Sequence, residues 1–393
     1  MPSILSPKYS PTFKELDTAA DIKQRLYYAL RQAVPGQRCA LLHCPSYPNF
    51  GDHLIWLGSL FYLQSAANCQ VVYTASDIDF SKAELERHLP EGPIVLLGGG
   101  SFGDLWYSQQ QFREQIIERY HDRPIVILPQ TIYFRSPDAL TQARRILNSH
   151  PNLTLFVRDR ISYRLACQAF NHCRVLMAPD AAFELADVLR DVPITKAPKG
   201  LLYHRRRDLE RQCWPSLESW QRGGEITVSD WLSYENRWLY DVPQAKGGIE
   251  VLKKRLRLRG LVRAVWQRRL QRPHEWRSLH QWETQYCPHH LLQGVNNPAR
   301  QRQSWSYIHS AIYQFCQYET IVTDRLHGHI LCTLLNIPHV FLPNSYHKNA
   351  SFYRHWTAAV PSSVFAETVE AVPEALAQLN AAQRESDQGG KGG

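Results

Sequence analysis

The sequence predicts an α/β fold of two Rossmann-like domains facing one cleft, and three observations carry that expectation. Short, fully apolar runs recur from Cys39 to about Arg190 with 15 to 30 residues between them, room enough for crossover helices, as in a parallel sheet covered on both faces. A second series begins at Leu201, beyond a stretch rich in Pro, Gly and Lys (Asp191 to Gly200) that reads as a linker. The residues with chemistry to offer stand directly after the apolar runs, where ligands of open α/β sheets bind.

In chain order, the first domain (residues 1–195) has strands expected at Cys39 to Cys44, Val71 to Thr74, Ile94 to Leu97, Ile125 to Leu128, Thr154 to Val157 and Val175 to Met177. The second (residues 196–380) has them at Leu201 to His204, Ile226 to Ser229, Ile321 to Thr323 and His339 to Leu342, with a helical pattern from His327 to Leu335. A basic insertion from about Asp241 to Arg302 interrupts this second series, and residues 381–393 read as a flexible tail.

Composition narrows the function classes. With 44% hydrophobic and 21% charged residues in 393, wholesale disorder and fibrous repeats are excluded. No apolar run approaches the roughly 18 residues of a spanning helix, and the N-terminus lacks the pattern of a secretory signal, so a cytoplasmic protein is expected. Nine cysteines include no C-x-x-C pair, which favours reduced thiols and gives no zinc spacing; the seventeen histidines contain no H-E-x-x-H. No metal is expected. The net charge of +9 is local: Lys246 to Arg272 holds ten Lys or Arg and one acid, Glu250, and so carries all of it. That is an attachment patch and not a nucleic-acid groove.

After the first strand, Asn49-Phe50-Gly51-Asp52 reads as a capped turn into a helix, with Asn49 and Asp52 able to face a ligand. Gly98-Gly99-Gly100 opens a loop that lets the backbone approach an anion. It formally satisfies G-x-G-x-x-G, but the next strand leads into Pro129-Gln130-Thr131, without the acidic residue a dinucleotide site needs. Arg158 stands first beyond its strand, with Asp159 suited to capping the following helix. Asp180 can cap a helix, hold an arginine or bind a sugar hydroxyl. Arg206 lies in an arginine cluster after another strand, and Thr323-Asp324-Arg325-Leu326-His327-Gly328-His329 puts an anion-binding fork and a proton-handling imidazole at a strand end. Asn344, Ser345 and Lys348 follow the last strand and suit a polyol or an anion. Asp77-x-Asp79 is too short a motif to carry a metal-nucleotide reading.

Taken in order, N-F-G-D, L-G-G-G-S-F-G-D, R-D-R-I-S, A-P-D, T-D-R-L-H-G-H and N-S-Y-H-K-N resemble the polysaccharide pyruvyl transferase family over roughly residues 39–355. The resemblance implies a GT-B-like fold, phosphoenolpyruvate as donor and co-substrate with no resident cofactor, and a sugar hydroxyl pair of an exopolysaccharide or its lipid-linked precursor as acceptor. It also implies that Arg325, Leu326 and His327 match the family's donor-binding triple; His347 and the basic insertion depart from the pattern. Donor contacts are then expected from Arg325, Leu326, Arg158, Arg206 and the Gly98, Gly99, Gly100 loop, and acceptor contacts from Asn49, Asn344, Ser345 and Lys348. His327 is the expected acid or phosphate partner, with Asp52 or Asp180 as base. Two alternatives remain open: a GT-B glycosyltransferase using a nucleotide sugar, and a noncatalytic sugar-binding protein of the same fold. In the insertion, Leu258, Leu261, Val262, Val265, Trp266 and Leu270 recur at helical spacing among arginines. That pattern fits either a peripheral helix on anionic lipid at the inner face of the membrane or a helix packed on the second domain.

Overall fold

The computed structural model describes residues 16–33, 38–190, 197–212, 226–231, 278–279, 281–287 and 295–389. Two parallel sheets organise the chain. The first contains β1 (Arg38–Leu42), β2 (Gln70–Ala75), β3 (Ile94–Leu96), β4 (Gly99–Phe102), β5 (Ile125–Ile132), β6 (Leu153–Val157) and β7 (Arg174–Met177). Its order is β2-β1-β3-β5-β6-β7, with β4 also paired to β5. The second, ordered β12-β11-β10-β8-β9, contains β8 (Leu201–His204), β9 (Ile226–Ser229), β10 (Thr320–Thr323), β11 (His339–Phe341) and β12 (Ser363–Phe365). Every pairing in both is parallel, so these are the Rossmann-like sheets expected from the apolar runs, and the pair is compatible with the GT-B-like fold that the family resemblance implies.

The helices are α1 (Ala19–Leu30), α2 (Phe50–Phe61), α3 (Lys82–His88), α4 (Tyr107–Arg119), α5 (Pro137–Ser149), α6 (Arg160–Ala169), α7 (Ala186–Arg190), α8 (Pro298–Phe315), α9 (Leu326–Leu335), α10 (Lys348–Phe352) and α11 (Val372–Gly389). Thr18 starts α1 with a capping box: its hydroxyl accepts from the Asp21 amide at 3.1 Å while the Asp21 carboxylate accepts from the Thr18 amide at 3.2 Å. Ile22, Leu26, Ala29 and Leu30 then form its buried stripe. α2 is apolar nearly all round, and every residue except Asp52 is buried. A helix of that composition belongs inside the protein, and α2 lies where the two halves meet.

The core explains the relation of the two sheets. One apolar cluster joins Leu41, Val95 and Phe156 of the first sheet and Leu54, Trp56 and Leu57 of α2 to Leu202, Ile321, Ile330 and Phe341 of the second half. The outer face of each sheet has its own smaller cluster. Helix α8 crosses onto α2, where Trp56 Nε1 donates to Gln301 at 2.6 Å and the His53 ring meets Ser304 Oγ at 2.9 Å. Asp79 is held there too, by Arg300 at 2.7 Å, so the D-x-D carboxylate serves this junction.

Four elements differ from the expectation. The last helix, α11, continues to Gly389 through residues expected as a flexible tail from 381, because Ala, Gln, Arg and Glu there favour helix and no Pro or Gly interrupts it before Gly389. The glycine loop contains a strand, β4, despite its low β propensity, because Gly99 takes φ +128° and the segment pairs with β5. β5 runs on through Pro129 to Ile132, since the missing proline N–H falls at a register shift between Ile127 and Gln130. β12 is only three residues long and gives little sequence signal. The basic segment 246–272 lies outside the described residues.

Candidate functional site

Parallel sheets bind ligands where the strand order reverses. In the first sheet that point is between β1 and β3, and in the second between β8 and β10. The loops after these strands, joined by those after β6, β9 and β11, line a cavity of about 370 Å³. Its lining includes Asn49, Asp52, Gly100, Arg158, Arg206, Arg325, Leu326, His327 and Lys348. Residues up to 301 positions apart in the chain therefore meet at one place, from Tyr47 to Lys348.

Arg158 is wholly buried at the floor. Its Nη1 pairs with Asp180, its Nε donates to Thr131 Oγ1 at 3.0 Å, and its Nη2 meets no acceptor among the described residues. Arg160, by contrast, turns away to His355. Asp180 both caps the 181–185 turn, accepting from the Ala182 amide at 2.8 Å, and holds the arginine. Burial works to raise its carboxyl, but Arg158 and then His327 overcome that and hold it well below the usual range. His327 Nε2 stands 3.5 Å from Asp180 Oδ2. Its ring occupies the space a side chain on Gly51 would need, which is why the N-F-G-D turn needs glycine there.

Lys348 Nζ pairs with Glu210 and lies with Arg158 Nη2 over Gly100, where an added Cβ would be 3.3 Å from each nitrogen. Glu210 also accepts from Arg206 Nη1 at 2.9 Å, and Arg206 takes Asp208 through Nε at 2.8 Å. The Arg206 amide donates to Asp324 Oδ1 at 2.8 Å, which fixes its backbone to the Arg325 strand end. Arg325 is gripped by Asp230, from Nε at 2.5 Å and Nη2 at 2.8 Å, and lies 3.2 Å from Asp208. Paired charges like these keep a buried guanidinium in a fixed orientation. Burial raises the Asp52 carboxyl, against the opposing pull of His327, Tyr47 and Lys348. Asn49 Nδ2 donates to it at 2.8 Å.

The remaining expected residues lie outside this lining. Gly98 packs against the Pro129 backbone, and the position of a Cβ on Gly99 would be 3.9 Å from Asp52 Oδ1. Asn344 is buried and bonds Glu210 at 3.3 Å and the Asn349 amide at 3.2 Å, whereas Ser345 is exposed. His329 belongs to the core, between His339 at 2.7 Å and Thr357 at 2.8 Å. Six cavity residues went unnoticed in the sequence: Tyr47, Pro48, Trp106, Gln109, Asp230 and Trp231. Asp230 follows β9 directly, a position that could have singled it out. No group of three or more His, Cys, Asp or Glu among the described residues is placed to hold a metal.

Two parallel sheets with cations and imidazole at their facing switch points define an α/β protein with a cation-lined cavity. The sequence profile described as polysaccharide pyruvyl transferase matches residues 49–346, and the chain belongs to that family. EpsO of Bacillus subtilis (strain 168), a candidate pyruvyl transferase by its name, is 29% identical over 81% of this chain and 85% of its own. Pyruvyl transferase 1 of Schizosaccharomyces pombe (strain 972 / ATCC 24843) is 27% identical over 87% of this chain and 75% of its own. A solved structure, of a functionally uncharacterised protein from Klebsiella pneumoniae subsp. pneumoniae NTUH-K2044, superposes with a TM-score of 0.52 over 88% of this chain and 99% of that one. At 15% identity it speaks for the fold alone.

Proposed function

We propose that this chain moves the pyruvyl group of phosphoenolpyruvate onto two hydroxyls of a saccharide, forming a cyclic ketal. The observation that carries the reading is the buried floor, where the free Arg158 Nη2 and Lys348 Nζ converge over Gly100 beside His327. A carboxylate and a phosphate on one small molecule need such a seat. One sugar hydroxyl adds through oxygen to C2 of the enol while C3 gains a proton, leaving a tetrahedral carbon that still carries phosphate. The second hydroxyl then displaces phosphate from C2, its proton passing to a base, and the ketal and inorganic phosphate are the products. His327 is assigned the proton delivery or the phosphate contact, and Asp52, with its raised carboxyl, accepts a hydroxyl proton. Asp180 orients Arg158 and His327. Phosphoenolpyruvate is a co-substrate, and the scheme uses no resident cofactor.

The test is product identity. Saccharide-dependent release of inorganic phosphate from phosphoenolpyruvate supports the reading; nucleotide release from a nucleotide sugar replaces it with a glycosyltransferase. The acceptor we assign is an exopolysaccharide or its lipid-linked precursor, handled at the cytoplasmic leaflet. No helix among the described residues is long and apolar enough to cross a membrane. Attachment is assigned to segment 246–272, each Lys or Arg near an anionic surface contributing about 1 kcal/mol. Salt-sensitive cosedimentation with phosphatidylserine vesicles, lost when 246–272 becomes a neutral linker, is the expected outcome.

A further inference from the structure

We infer that the mouth of the cavity is a saccharide subsite formed by Tyr47, Trp106 and Gln109 around Asp52, so that the acceptor enters over an aromatic rim. The inference rests on the donor reading of the floor and adds a binding surface at the opposite end. Burial sets the polarity of the cavity. Arg158, Arg206, Arg325 and Lys348 are all buried, while Tyr47 is 36% exposed and Trp106 and Gln109 are half-buried. Charge divides the same way on the first-domain side, where Tyr47, Trp106 and Gln109 are uncharged. Arg207, from the second domain, is the exposed cation at this rim.

The rim is assembled and held. Gln109 Nε2 donates to the Tyr47 hydroxyl at 2.8 Å, and the Tyr47 carbonyl is bound to the His53 ring at 3.0 Å. Trp106 Nε1 points to Glu210 at 3.4 Å, which fixes the plane of the indole. The Tyr47 phenol and the Asp52 carboxylate are near enough to influence each other electrostatically. A pyranose ring offers a C–H face and hydroxyls that both donate and accept; aromatic faces, an amide and a carboxylate complement it, whereas cations add little to binding a neutral polyol. Asp52 joins the two ends. It accepts from Asn49 on the rim, and the nearby Gly99 leads to Gly100, over which Arg158 and Lys348 converge. A sugar hydroxyl bound at Asp52 therefore sits beside the floor where the enol is assigned.

Saturation-transfer NMR with methyl glycosides of glucose, galactose, mannose and N-acetylglucosamine, each with and without phosphoenolpyruvate, tests this, with UMP as the competing aromatic-stacking probe. At least one glycoside should bind the wild type. Its affinity should fall roughly fivefold or more in Tyr47→Ala or Trp106→Ala, while calorimetric phosphoenolpyruvate affinity stays within about twofold. Gln109→Ala, a half-buried change, provides a second variant if an aromatic replacement misfolds, and should weaken the same glycoside. The inference fails if no glycoside binds, if binding survives these folded variants unchanged, or if UMP occupies the rim in preference. Glycoside binding through Tyr47 without phosphoenolpyruvate binding would keep the rim and remove the donor assignment; the converse would do the opposite.

Discussion

Burial brings the Lys348 ammonium down to about 8; Glu210 opposes the shift, and Arg206 and Arg158 add to it. Between about 8 and 10.5 the folded protein thus holds fewer protons here than the unfolded chain, so this group makes stability rise with pH across that window. Anion affinity moves the other way, because the neutral amine no longer attracts the ligand. Calorimetric affinity for phosphoenolpyruvate should fall as pH rises through about 8, and Lys348→Arg, which stays charged, should move the fall to higher pH. Arg325→Ala should weaken the same binding by roughly 1.5 to 3 kcal/mol if the guanidinium makes a charge-assisted bond to the donor, and unchanged affinity in a folded variant would remove Arg325 from the contact set. His327→Asn should lower turnover more than donor affinity, a split that steady-state kinetics with calorimetry resolves. At this scale the cations were legible in the sequence because each follows an apolar run. Their partners were harder to see: Asp230 lies 95 positions from Arg325 and Glu210 lies 138 from Lys348, distances no local motif spans.

Strand ends and the turns after them decide which side chains reach the cavity, and glycine is used there for space. A methyl group at residue 100 would enter the seat between Arg158 Nη2 and Lys348 Nζ without meeting backbone. Gly100→Ala should therefore cost roughly tenfold or more in phosphoenolpyruvate affinity, while thermal stability changes little, since the neighbours are the ends of long side chains. Gly328→Ala should do the reverse: its Cβ would press on Thr323 Oγ1 and the buried His204 ring, so a fall in melting temperature is the expected readout. Most strands were legible as apolar runs bounded by polar residues. β4 was hidden by its glycines, and α1 lies in a stretch where no function-bearing motif drew attention to its capping box.

At the scale of the molecule, the two sheets share one apolar cluster through α2. Calorimetry should record a single unfolding transition for both, and Trp56→Ala, which empties a fully buried site and takes the donor from Gln301 Oε1, should lower stability by about 3 to 5 kcal/mol. Two separable transitions would show that the cluster does not couple the halves. Sequence alone suggested two units joined by a linker because apolar spacing reveals sheets but not which core a later helix enters. α8 follows β9 in the chain yet packs on α2 beside the first sheet. This bears on recombination between relatives. A chimera joined near residue 196 would exchange α8 with the second half and leave Trp56 and His53 facing a foreign helix. Transplanting specificity between members of the family should therefore succeed by grafting the rim loops, or by exchanging α2 and α8 together, and fail when the halves are swapped at the sequence boundary.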